Sequence, residues 1–133
     1  MRTLLVLLLL VVAPALAQEP TDSFPPDPAG VRVVDRDAIF FNDQYFYAIA
    51  YNQAGRGHLE VYQGLPWKKV YEWSIEFQGE PITLAPVTVL HIDEFESTLV
   101  FYWDDFVGYR EGAVHQSVVY DPKKGRFETQ WSD

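Results

Sequence analysis

From Val31 to Trp131 the apolar residues follow a period of two almost everywhere, and nowhere do they hold a spacing of three and four through three turns. That period belongs to β-strands, whose successive side chains leave on opposite sides. "QYFYAIAYN" sets Tyr45, Tyr47, Ile49 and Tyr51 on one face and Phe46, Ala48 and Ala50 on the other. "YEWSIEF" sets Tyr71, Trp73, Ile75 and Phe77 against Glu72, Ser74 and Glu76. "STLVFYW" is apolar on both faces and reads as a central strand. Pro86 interrupts "PITLAPVTVLHI", and a residue without an N–H bends a strand, bulges it or marks an edge.

Turn chemistry agrees with the period. "YDPKKGRF" offers Asp121 to start a turn, Pro122 at its first central position and Gly125 where a left-handed residue closes it. Asn42-Asp43 lies between two aromatic runs and predicts a tight hairpin. Strands are expected near 31–35, 38–41, 44–52, 58–63, 67–77, 82–92, 97–103 and 112–121, with another at 125–131. The fold class is all-β: a single antiparallel domain of about eight or nine strands, built as a sandwich, a barrel or a propeller-blade-like meander.

An internal echo bears on the architecture. "VRVVDRD" from Val31 resembles "VTVLHID" from Val87, "AIAYN" parallels "VFYWD", and "HLEVY" parallels "HQSVVY". The offsets run from 52 to 58, so gaps are needed and identities are few. The echo suggests two four-stranded units of about 50 residues, packed face to face or completed by another copy.

The ends place the chain. Arg2, the apolar run Leu4–Val12, Pro14 and the small-residue site Ala15-Leu16-Ala17 describe a secretory signal peptide, with cleavage expected after Ala17. Nine apolar residues before a proline fall well short of the roughly 20 that span a membrane. No transmembrane segment is therefore expected in the mature chain. Residues 18–30, "QEPTDSFPPDPAG", read as a proline-rich acidic tether, and residues 31–133 as the all-β domain. There is no cysteine, so neither disulfides nor a lipidated cysteine is available. A cysteine-free exported domain must rest on its own packing, and inclines the reading toward a periplasmic or secreted bacterial protein.

The net charge is −9, and removal of Arg2 with the leader takes it to −10. Such a chain repels phosphate backbones, so nucleic acid is not an expected ligand. Cationic partners are favoured electrostatically, but solubility alone accounts for the acidity more readily.

Two segments stand out chemically. "HIDEFES" carries His91, Asp93, Glu94 and Glu96, weak candidates for a metal site whose spacing matches no standard motif. An acidic hairpin tip accounts for them more simply. "FYWDDFVGYREG" is the candidate binding loop, with Trp103, Asp104, Asp105, Phe106, Tyr109 and Arg110. Aromatic rings beside carboxylates stack on sugars or anchor a protein interface. The competing reading makes Trp103 the end of a core strand, which outweighs binding there, and packs Phe106 and Tyr109 onto it. Trp67, in "QGLPWKK", has the parity of Tyr71 and Trp73 and is expected on their buried face unless a bulge intervenes.

Catalysis finds little support. His58, His91 and His115 lie in no recognisable nucleophile elbow, and adjacent acids such as Asp104 and Asp105 face opposite ways in a strand. No catalytic residue and no cofactor are assigned. The expectation is a secreted or periplasmic noncatalytic binding module that recognises a protein or a glycan. The alternative is an assembly subunit, structural or envelope-associated, that pairs through an edge strand, the foremost being "RFETQWS". A carboxylate-dependent hydrolase ranks below both.

Overall fold

The structure, a computed structural model, describes residues 24–77, 79–104 and 115–132. Alternating apolar residues and tight turns give two consecutive four-stranded meanders. The first sheet contains β1 (Arg32–Phe41), β2 (Gln44–Gln53), β3 (Arg56–Gly64) and β4 (Lys68–Ser74), in that order. A two-residue pair, β5 (Glu76–Phe77) with β6 (Glu80–Pro81), starts the crossover. The second sheet runs β7 (Val89–Phe95), β8 (Thr98–Asp104), β9 (His115–Asp121) and β10 (Arg126–Ser132). Every strand pair in both sheets is antiparallel.

Local chemistry fixes the turns. Asn42 and Asp43 both have positive φ, 53° and 63°, as the two-residue hairpin between aromatic runs predicts. Ala54-Gly55 and Glu96-Ser97 make the same kind of turn. In the last hairpin the Asp121 carbonyl accepts from Lys124 N and Gly125 N, and its carboxylate accepts from Lys123 N. Gly125 closes that loop at φ 67°.

The sheets face one another across a single core. Phe46, Ala48, Ala50, Leu59 and Val61 come from the first sheet, and Leu90, Ile92, Leu99, Phe101 and Val118 from the second. Burying each of the larger side chains stabilises the fold by about 1.5–3 kcal/mol. Rings bridge the layers: Phe46 meets Tyr120, Trp73 meets Trp103, and Tyr71 stacks on Phe127 at 5.0 Å.

One side of this sandwich is closed by carboxylates. Asp35 Oδ2 accepts Leu90 N at 2.7 Å, and Asp37 Oδ2 accepts Ile92 N at 3.0 Å. Their Oδ1 atoms accept the next amides of their own strand, Arg36 N and Ala38 N. Side chains two residues apart thus supply acceptors to amides two residues apart, in place of backbone carbonyls.

Several expected boundaries change, each for a local reason. The stretches 31–35 and 38–41 are one strand, because Val34 is an extra residue that lets β1 continue through "DRD". The long strand expected over 67–77 ends at Ser74, where Ile75 turns to donate to the Gly57 carbonyl. Residues 82–88 lie outside any strand, with Pro86 in a turn, and β7 begins only at Val89. Instead, Asn52 pins this segment by accepting from Leu84 N and donating to Leu84 O.

Trp67 requires a correction. Tyr71 pairs with Val61 but Lys69 with Tyr62, so Val70 is an extra residue in β4. That bulge inverts the parity, and Trp67 packs on the outer face of the first sheet, 6.0 Å from Tyr47. Phe24, from the proline-rich stretch, stacks on Tyr47 there at 4.5 Å. Asp27 holds Arg36 through both carboxylate oxygens, at 2.8 and 3.1 Å.

Candidate functional site

The two outer faces differ. On the first sheet Tyr47, Ile49 and Tyr51 are buried beneath Phe24, Val31, Val33 and Trp67. On the second, no described residue lies over the strands in that way. Its registers place side chains in cross-strand rows. Tyr102 has His91 on one side and Ser117 on the other, and Ser117 faces Gln130. The next row runs Asp93, Val100, Val119, Glu128. Phe95 pairs with Thr98 beyond it.

These rows form an apolar centre with a polar border. Val100 and Val119 are half-buried neighbours, while Phe95 stands at the rim, 64% exposed. A shallow groove of about 270 Å³ crosses the face between Phe95 and the β10 side chains Arg126, Glu128 and Gln130. Arg126 Nε donates to Glu128 Oε1 at 2.7 Å, an exposed pair that contributes little stability but fixes a charged border. At the opposite edge His91 stacks on Tyr102 at 4.9 Å, and Tyr102 donates its hydroxyl to Asp93. An apolar middle ringed by polar groups is the usual anatomy of a protein-binding patch.

The expected metal cluster is divided by the strand. His91 and Asp93 lie on this outer face against Tyr102, whereas Glu94 lines a separate hollow of about 430 Å³ beside Asn42 and Lys123. Glu96 occupies the turn itself at φ 48°. Among the described residues no group of three or more His, Asp or Glu side chains is close enough to hold a metal ion.

Of the expected binding loop, Trp103 packs inward, 5.7 Å from Trp73. Asp104 ends β8. Asp105, Phe106, Tyr109 and Arg110 lie outside the described residues.

One polar centre escaped the sequence reading. Glu60 is buried on the outer face of β3, where Oε2 accepts from Tyr51 and Oε1 from Tyr62 at 2.6 Å. Lys69 Nζ lies 3.6 Å from Oε1 and also donates to Glu72. Burial alone would push the Glu60 carboxyl up, but the two phenol donors and Lys69 outweigh it and hold it below the usual carboxylate range. Burial and the Glu60 carboxylate push both tyrosine hydroxyls well above their ordinary value. Both carboxylate oxygens are occupied, so the cluster is suited to joining β2, β3 and β4 rather than to proton transfer. Its signal in the sequence was the lone acid inside "HLEVY", an alternating strand with tyrosine two residues on.

Comparison with protein-family models, with curated proteins and with solved structures found no match to this chain.

Proposed function

We propose that this chain is a noncatalytic binding module, exported by its N-terminal leader, that takes a protein ligand on the outer face of the second sheet. The observation that supports this reading is the uncovered Val100–Val119 pair inside a border of Asp93, Arg126, Glu128 and Gln130. Two adjacent aliphatic side chains favour an apolar side chain of a partner over a sugar. Sugar stacking needs open ring faces, but on this sheet the Tyr102 ring is already stacked with His91. Phe95 is the one ring of the face that stands mostly in solvent among the described residues.

Site-directed photocrosslinking tests the reading. A photoreactive amino acid at Phe95 is expected to capture one polypeptide partner, and the same group at Phe40, also exposed but on the other sheet, is expected to capture none. Val119→Lys should abolish the adducts without lowering the melting temperature, because a lysine stem lies along such a face with its ammonium in water. Adducts that are polysaccharide, or that persist unchanged in Val119→Lys, would refute a protein ligand on this face.

A further inference from the structure

The two sheets present four edges, and three are closed or obstructed. β1 and β7 face each other through the Asp35 and Asp37 carboxylates. β4 opens with Lys68 and Lys69 and carries the extra residue Val70, and both devices discourage strand addition. β10 has neither. Its seven residues pair with β9 without a register shift, and it contains no proline or lysine. Among the described residues it makes no backbone hydrogen bond beyond β9 and its own turn. Regular, unobstructed edges are templates for another strand.

We propose that β10 is a homodimer interface, pairing antiparallel with β10 of a second copy about a two-fold axis at Thr129. The side chains select both the partner and the register. An axis at Thr129 lets all seven residues pair, Arg126 opposite Ser132 and Glu128 opposite Gln130, each twice. Every Glu128 carboxylate then meets a side-chain amide, and no like charges stand opposite. An axis at Glu128 would set that carboxylate against its own copy, which destabilises a cross-strand pair. An axis at Phe127 would run the ladder into the turn that Gly125 closes at φ 67°.

The axis stands perpendicular to the sheet, so both outer faces point the same way. The groove bordered by Arg126, Glu128 and Gln130 continues across the seam into the second copy. This dimer goes beyond the docking reading and does not depend on it.

Sedimentation equilibrium of the purified protein tests the proposal, with two variants at an exposed position. Gln130→Lys sets an ammonium opposite each Glu128 and should tighten the dimer about fivefold, the joint effect of two cross-strand charge pairs. Gln130→Glu sets carboxylates opposite each other and should weaken it by a similar factor. Circular dichroism should show both variants folded. A protein that stays monomeric to its solubility limit overturns the proposal, as does a dimer whose constant the two variants leave equal.

Discussion

Tyr51 donates its hydroxyl to Glu60 on the neighbouring strand, and Tyr62 donates to the other oxygen of the same carboxylate. Because Glu60 is held below its unfolded value near pH 4.3, its contribution is complete above that pH. It is lost as the pH falls through the folded pKa. The two tyrosines carry the opposite sign. With raised pKa values, their contribution is complete below about pH 10 and is lost as the pH rises through the folded values. Glu60→Gln should cost about 2 kcal/mol at neutral pH, since an amide cannot accept from both phenols. It should also flatten the acid limb of the stability profile. Urea unfolding across a pH series measures both, and identical acid limbs would remove Glu60 from this role.

Asp37→Ala leaves Ile92 N and Ala38 N without their acceptor. Lost hydrogen bonds of this kind cost about 1–3 kcal/mol, and the opening should be local to the β1–β7 side. Native-state hydrogen exchange should show Ile92 N–H accelerated well beyond amides in the middle of β9. Unchanged protection at Ile92 would mean the carboxylate holds nothing there.

Gly57 is required by a close approach. A Cβ at this position would lie 2.9 Å from the Ile82 carbonyl oxygen and 2.9 Å from Leu84 Cγ. Gly57 N also donates to Ile82 O at 2.6 Å, so the crossover chain cannot retreat without losing that bond. Gly57→Ala should therefore destabilise the domain by about 1–3 kcal/mol, despite the gain in chain stiffness. A variant melting at or above the parent would contradict this packing.

The turn between β7 and β8 can be improved. Glu96 and Ser97 hold φ values of 48° and 68°, a conformation that asparagine and glycine adopt at much lower cost. The double substitution Glu96→Asn with Ser97→Gly should stabilise by about 1 kcal/mol and raise the melting temperature. A lower melting temperature would show that the Glu96 or Ser97 side chain contributes something the backbone geometry does not reveal.

The period-two pattern and the turn residues carried the all-β class, the hairpins at Asn42-Asp43 and Asp121–Gly125, and the face assignments along β2. Those features are local, and one strand displays them by itself. What stayed hidden depends on pairing. A single extra residue, Val70, reversed the side on which Trp67 packs, and nothing in "PWKKVYEW" shows which of its residues goes unpaired. The bonds from Asp35 and Asp37 to β7 span 55 residues, and "DRD" read alone is an ordinary solvated charge cluster. The uncovered outer face was equally illegible. Whether Val100 and Val119 meet a second layer depends on the Phe24 segment lying on the first sheet and not on theirs.

The bonds between β1 and β7 have an evolutionary consequence. Strands joined by main-chain ladders share a chemistry that every codon except proline's supplies, so such a joint is hard to abolish by mutation and hard to make selective. Here the joint is spelled by two codons, for Asp35 and Asp37. Single-base changes can weaken it, and reversions can restore it, at the expense of only one further bond each, to the next amide of β1. A lineage can thus adjust how firmly this one side of the sandwich closes while the shared core is left unchanged, a freedom useful to a fold assembled from two similar parts.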